Sequence, residues 1–185
     1  MANARISAPG RPVALRAIRV AARAAARSRG WLTAGPVRIP VALGRGGVRS
    51  DKREGDGATP RGRFRLLRVW WRADRGQRPR TLLPVRRIGR ADGWCEDPAD
   101  RRYNRPIRLT DGKPGDRLWR ADHLYDLIVE LDHNVRPRIA GRGSGIFVHV
   151  ARPNFGDTAG CVALPSTSLR RLLARLSHKT RIWIH

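Results

Sequence analysis

Residues 145–164 read Gly-Ile-Phe-Val-His-Val-Ala-Arg-Pro-Asn-Phe-Gly-Asp-Thr-Ala-Gly-Cys-Val-Ala-Leu, and this stretch decides the fold. Residues 146–150 and 160–164 are short apolar runs of the kind that form buried strands. The Pro-Asn-Phe-Gly segment between them predicts a loop. Because side chains alternate across a strand, His149 faces away from the three aliphatic residues of its run. If the two strands are neighbours, His149 and Cys161 lie side by side.

Cys161 and His149 form a candidate nucleophile and base. A free thiol has a pKa of about 8.5, so little of it is thiolate at neutral pH. A histidine within hydrogen-bond reach takes the thiol proton and later returns it to a leaving amine. Gly160 allows close backbone approach, and its N–H and that of Cys161 are candidates for an oxyanion hole. By residue type alone, a buried structural thiol and a core histidine remain the favoured alternative.

The rest of the chain predicts a mainly β domain, a sandwich or open barrel, with one α-helix near the C-terminus. Leucines at i, i+3, i+4 and i+7 predict that helix, and Ser166 is its expected N-cap. Gly35-Pro36 indicates the turn of a hairpin. The predicted strands are residues 31–33, 37–39, 63–70, 125–131, 146–150, 160–164 and 180–184.

The N-terminal part differs in composition. Residues 1–30 are expected to form a basic N-terminal segment, and residues 31–185 the folded catalytic domain. The first dozen residues have the composition of a loose tail. Residues 15–26 predict a basic helix or an early strand, and helix propensity favours the helix. Arginines interrupt every apolar run here, so neither an export signal nor a transmembrane segment is expected.

The net charge of +24 is almost entirely arginine. This charge indicates either a partner that is a polyanion or a general bias of the chain's composition toward arginine. We favour the bias, because the arginines are spread along the chain without a nucleic-acid motif, and no nucleic acid is expected as a partner. Cys95 and Cys161 permit a disulfide but do not make a disulfide framework. No Cys-x-x-Cys or clustered histidine pattern exists, so no metal or cofactor is expected.

Two irregular segments stand out. Residues 52–62 form a glycine-rich polar loop that lacks the Gly-Lys-Ser/Thr ending of a phosphate-binding P-loop. Residues 72–120 form a long connection, which is usually functional or a binding flap. Cys95 lies in this connection with no histidine nearby in sequence, and we interpret it as a structural or flap residue.

The stretch ending in Thr158-Ala-Gly-Cys161 resembles the L,D-transpeptidase catalytic domain family (YkuD), whose signature is a strand-borne histidine followed by Ser/Thr-His-Gly-Cys. The resemblance extends over most of residues 31–185 and includes the glycine-rich loop, which looks like the family's Gly-x-Thr-Pro-x-Gly segment. Two positions depart from the family pattern. Ala159 replaces the histidine before Gly-Cys, and Ala163 replaces the arginine two residues after the cysteine.

The resemblance implies that Cys161 attacks a peptidoglycan stem peptide and that His149 is its proton acceptor and donor. A second stem peptide's amine, or water, then resolves the thioester. The activity is therefore expected to be that of an L,D-transpeptidase or of an L,D-carboxypeptidase or amidase, in the periplasm or cell envelope. A non-catalytic basic module that binds wall polymer or nucleic acid is the third hypothesis.

Further site residues are expected around this pair. The oxyanion and pocket candidates are Gly160, Thr158 and Ser144, and the candidates to line the substrate cleft are Tyr125, His133 and Asn134. Thr158, Ser144 and Asp157 are also candidates to orient His149. The sequence gives no indication of the oligomeric state.

Overall fold

The computed structural model describes residues 13–110 and 114–185. These residues contain fourteen strands, one α-helix (α1, Ser166–Leu173) and a short 3-10 turn at Ala73–Arg75. The strands are β1 Ala17–Arg23, β2 Ala26–Ala34, β3 Val37–Ala42, β4 Val48–Arg49, β5 Thr59–Pro60, β6 Gly62–Trp71, β7 Val85–Arg87, β8 Asp92–Trp94, β9 Pro106–Arg108, β10 Asp116–Arg117, β11 Leu127–Leu131, β12 Phe147–Val150, β13 Val162–Leu164 and β14 Arg181–Ile184.

Nine strands form one sheet, in the order β11-β12-β13-β3-β2-β1-β14-β6-β7. β11 also pairs with β6, from Leu127 opposite Trp71 to Leu131 opposite Leu66. This pairing joins β11, at one end of the sheet, to β6, so the strands from β11 to β6 close into a barrel and β7 adds to the side of β6. The expectation of a mainly β fold with one helix near the C-terminus is confirmed. The predicted hairpin is β2 and β3, which pair antiparallel across Gly35.

The core fills the barrel with aliphatic side chains, because alternate residues of each strand face inward. Leu169, Leu172 and Leu173 of α1 pack against this core, as their spacing predicts. The expected N-cap is wrong, because Pro165 occupies that position and Ser166 is the first helical residue. Pro165 has an extended ψ of 140°, so the chain enters the helix only after it.

The helix favoured for residues 15–26 is wrong, because β1 and β2 form an antiparallel pair there. Ile18 and Val20 point into the core while Arg19 points outward, a period of two that suits a strand. β14 pairs with β1 in parallel and provides hydrogen-bond partners for its backbone. This tertiary pairing overrides the local helix propensity. The boundary predicted after residue 30 falls inside β2. The tail predicted for residues 1–12 lies outside the described residues.

The connection of residues 72–120 contains a small second sheet, in the order β10-β8-β9. Trp94 of β8 packs edge-on against Phe147 of β12, with ring centroids 5.0 Å apart, and against Trp70 of β6 at 6.5 Å. These contacts hold the flap against the outer face of the barrel, beside the strand that carries His149. Within the described residues, no helix has the length and apolar character needed to span a membrane.

Candidate active site

The strands that carry the two predicted reactive residues are neighbours. β12 and β13 pair in parallel, with His149 opposite Ala163 and Val148 opposite Val162. Cys161 directly precedes β13, and the Phe147 backbone N–H donates to its Sγ at 3.4 Å. Cys161 and His149 both line one cavity of about 360 Å³, on the face of β12 that points away from the barrel core.

The Cys161 thiol is held in its neutral form. Cys161 is only 8% exposed, and its Sγ donates a hydrogen bond to the Gly145 carbonyl at 3.3 Å. Burial raises the pKa of the thiol to about 12, and the negative charges of Asp116 and Glu96 act in the same direction. For Cys161 to act as the predicted nucleophile, a base has to take its proton.

His149, the predicted base, lines the same cavity as Cys161, and the structure records no hydrogen bond between the two side chains. Its Nδ1 lies 2.8 Å from the Val150 carbonyl, and because a carbonyl only accepts, Nδ1 carries the proton and Nε2 has a free lone pair. Burial lowers the pKa of His149 to about 4, so the imidazole is neutral at physiological pH. The Val150 carbonyl orients the ring, and none of the side-chain candidates, Thr158, Ser144 and Asp157, hydrogen-bonds to it.

Thr158 and Gly160 shape the turn before the nucleophile. Thr158 Oγ1 donates to the Cys161 carbonyl at 2.7 Å and accepts from the Gly160 N–H at 3.1 Å. The Gly160 N–H is therefore engaged within the turn, and its role as an oxyanion-hole donor stays a prediction. Gly160 has a φ of +144°, and a Cβ built on it would lie 2.8 Å from the Ala58 carbonyl oxygen.

Replacing Gly160 with alanine is expected to lower the free energy of unfolding by about 1–3 kcal/mol, because the side chain adds both backbone strain and a clash. Equilibrium denaturation measures this loss. Gly141→Ala is the matched control, because Gly141 also has a positive φ but nothing lies within 4 Å of its Cβ position. Equal losses in the two variants would contradict a role for the Ala58 contact.

Only some of the other predicted site residues line the cavity. Tyr125 lines it, with its ring edge-on to His149 at 5.4 Å, and Ser144 lines it as well. His133 and Asn134 do not line it. His133 Nε2 contacts the Arg142 carbonyl, and the Asn134 side chain bonds backbone groups of Ile139 and Gly143. These two residues brace the loop that leads to β12.

Asn104, in the flap, is a positioning residue that sequence reasoning missed. It is 5% exposed, and its Oδ1 accepts from the Gly145 N–H at 3.1 Å and from Trp94 Nε1 at 3.1 Å. Its amide also donates to the carbonyls of His133 and Asn134. Because the Gly145 carbonyl accepts from the Cys161 thiol, Asn104 holds the segment just before β12 that contacts this thiol. The only sequence feature that pointed to Asn104 was its position in the long connection of residues 72–120.

Charged residues of both signs line the cavity, and one pair of them, Arg120 and Asp116, lies 3.5 Å apart. We name two groups among them: the acidic corner of Glu54, Glu96 and Asp116, and the arginine wall of Arg45, Arg120 and Arg152. Burial raises the pKa of Glu96 to about 7, and the charges of Asp116 and Glu54 add to the effect. Asp116 accepts from the Tyr125 hydroxyl at 2.7 Å. Arg120 lies over the Tyr125 ring at 5.0 Å.

The two cysteines are both free thiols, so the disulfide that the sequence permits is absent from the structure. Cys95 packs with Ile107 and Leu109 in a separate small cluster of the flap, where burial raises its pKa. Ala159 lines the cavity, whereas Ala163 is 1% exposed and pairs with Ala42 of β3.

Comparison with known proteins matches one family model over most of the chain. The family model of the L,D-transpeptidase catalytic domain (YkuD) matches residues 23–184. A solved structure of Mycobacterium tuberculosis L,D-transpeptidase 1 is 16% identical with a TM-score of 0.40, covering 91% of this chain and 61% of that one. An L,D-transpeptidase from Mycobacterium smegmatis is 15% identical with a TM-score of 0.41, covering 91% and 58%. This chain therefore spans about three fifths of their length. No functionally curated protein matches it.

Proposed function

The chain belongs to the L,D-transpeptidase catalytic domain family, and we propose that it transfers the acyl group of a peptidoglycan stem peptide through a thioester on Cys161. The observation that carries the proposal is that a neutral thiol and a neutral, oriented imidazole line the same cavity. Such a pair supplies a nucleophile and the base that activates it. If Cys161 and His149 had only structural roles, there would be no reason for both to line the same cavity.

The proposed reaction has two half-reactions. Cys161 Sγ attacks the carbonyl before the terminal D-residue while the thiol proton moves to His149 Nε2. The tetrahedral intermediate collapses, the C–N bond breaks, and Nε2 returns the proton to the leaving amine. An amine of a second stem peptide then attacks the thioester and gives its proton to Nε2. The C–S bond breaks, and the proton returns to Sγ.

The arginine wall supports binding of a peptide that ends in a carboxylate. The leaving D-residue carries this carboxylate, and a guanidinium is suited to bind it with two parallel hydrogen bonds. Ala163 lacks the charge that the family's usual arginine carries at that position. We propose that Arg45 and Arg152, which reach the cavity from other segments, provide positive charge there instead. The family's substrate is a polymer of the cell envelope, and we propose that location for this chain.

The test is to incubate the purified protein with a stem tetrapeptide and an amine acceptor, and to follow products by mass spectrometry. The expected result is release of the terminal D-residue, a thioester adduct on Cys161 and a cross-linked product. Release without cross-linking, with water as the acceptor, would replace the transpeptidase with an L,D-carboxypeptidase. If the folded protein releases no D-residue and Cys161 forms no adduct with a carbapenem, the proposal is wrong and a binding module becomes the better hypothesis.

A further inference from the structure

The positive charge of the chain is concentrated on a group of neighbouring strands. All 15 acidic residues lie between Asp51 and Asp157. The consecutive strands β3, β2, β1, β14 and β6 contain no Asp or Glu, but they carry nine arginines. Of these arginines, only Arg65 and Arg68 form ion pairs in the described part of the chain. A bias of composition by itself does not separate the two signs of charge in this way.

Five outward-facing residues of these strands lie side by side and form what we call the basic row. Arg38 and Arg19 lie opposite Thr33 on the strands to either side of it. Arg19 and Arg63 lie opposite Trp183 in the same way. All five side chains are exposed, and neighbouring strands are about 5 Å apart, so the three arginines follow one another at intervals of about 10 Å. Like charges at this spacing repel each other, and an anionic partner removes this cost.

Trp183 holds two guanidinium groups of the basic row in place. Arg19 and Arg63 lie over its ring, at 5.6 and 5.4 Å from the centroid. Because β14 lies between β1 and β6, the two groups approach the ring from opposite sides. The Arg38 guanidinium lies over the Trp31 ring at 4.5 Å. Such contacts stabilise the arginines in one arrangement without neutralising their charge, so the row is organised before an anion binds.

A groove of about 560 Å³ continues the basic row at the start of β14. Arg63 and Trp183 line it together with Arg16, Lys179 and Arg181, and no acidic residue among those described lines it. A guanidinium group is suited to bind a phosphate with two parallel hydrogen bonds. The groove therefore offers several cations at once to a ligand that carries repeated phosphate groups.

We propose that the basic row and this groove bind a linear, flexible polyanion with one phosphodiester group per repeat and no bases, as an anionic polymer of the cell wall. The barrel has eight strands and the row crosses five of them, so the row curves around the barrel. A flexible chain follows this curve, whereas a bilayer surface or a DNA duplex touches only its middle. Guanidinium groups flank the Trp183 ring on both sides, so this ring is not free to stack on nucleic-acid bases.

The basic row and the cavity lie on opposite sides of the barrel. β1, at the middle of the row, is four strands away from β12 in both directions around the barrel. Binding at the row therefore leaves the cavity beside Cys161 open to a second molecule. A protein held on a polymer in this way meets peptides of the same network at a raised effective concentration. The inference does not depend on the proposed acyl transfer, because binding is measured without turnover.

The test measures binding of the purified protein to a synthetic poly(glycerol phosphate) by calorimetry over a range of salt concentrations. Wild type is expected to bind with an affinity that falls as salt rises, because the arginines displace counterions. Arg19→Gln/Arg63→Gln should weaken binding at least about 10-fold and reduce the salt slope by about 1.4, the value for two lost contacts with a single-stranded polyanion. Trp183→Leu keeps the net charge and should still weaken binding about 5-fold, because it releases both guanidinium groups.

Arg101→Gln/Arg105→Gln is the matched control, because it removes the same charge from two exposed arginines of the flap. It is expected to keep the affinity and the salt slope, and thermal unfolding checks that every variant is folded. Equal losses in the two double variants would mean that only net charge matters, and the basic row would be wrong as a site. Tighter binding to oligo(dA) of equal charge, or to phosphatidylglycerol vesicles, would make nucleic acid or a membrane the partner and overturn the proposal. Failure of wild type to bind the polymer at low salt would overturn it as well.

Discussion

Replacing Cys161 with alanine is expected to lower kcat/KM for release of the terminal D-residue by at least about 10³-fold, because the covalent half of the reaction loses its nucleophile. The fold should survive, since the change removes one sulfur atom from a cluster dominated by Trp70, Trp94 and Phe147. Mass spectrometry of the intact protein with a carbapenem gives a reading that needs no peptide substrate. Wild type should gain one adduct and Cys161→Ala none.

The chain offers its own control for this experiment. Cys95 is buried to a similar extent, at 3% exposed against 8% for Cys161, and its pKa is also raised by burial. It lies in the flap, outside the cavity, with no histidine contact. Cys95→Ala should therefore keep both the adduct and the activity. An adduct that follows Cys95 instead of Cys161 would show that the labelled thiol is not the proposed nucleophile.

The sequence predicted the parts of the site that depend on local pattern. The alternation of residues 146–150 placed His149 on the face opposite the aliphatic core, and the structure has it there. The connection of residues 151–161 is long enough to bring β13 beside β12, and the two strands do pair. These features follow from side-chain period and chain length, which a single sequence contains.

Long-range features were not predictable in this way. Glu96 and Asn104 reach the cavity only because Trp94 packs on Phe147, a contact between segments about fifty residues apart. The protonation of His149 depends on the Val150 carbonyl and on burial, neither of which residue spacing reveals. The error over residues 15–26 has the same origin, because β14 supplies the pairing that makes a strand there. Helix propensity predicts secondary structure poorly where a segment pairs with a strand that is distant in sequence.

His149→Gln is expected to lower kcat/KM by about 10²- to 10⁴-fold, the usual contribution of a general base. The glutamine amide lies near the position of Nε2, so the variant removes the basic nitrogen and also gives up the hydrogen bond that Nδ1 donates to the Val150 carbonyl. His133→Gln is the matched control, because burial also lowers the pKa of His133, yet its ring contacts a loop carbonyl outside the cavity. Comparable losses in both variants would mean that the effect is structural rather than chemical.

The same burial that keeps His149 neutral also makes the stability of the protein depend on pH. The pKa of His149 is about 4 in the folded chain and about 6.5 when unperturbed, so the unfolded chain binds more protons between these values. The free energy of unfolding therefore falls as pH drops from 6.5 to 4, by about 3 kcal/mol for this group. Denaturation of wild type and His149→Gln across this range isolates the contribution, since other titrating groups are common to both. Parallel curves would mean that the pKa of His149 is the same in the folded and the unfolded chain, so that burial does not keep the imidazole neutral below pH 6.5.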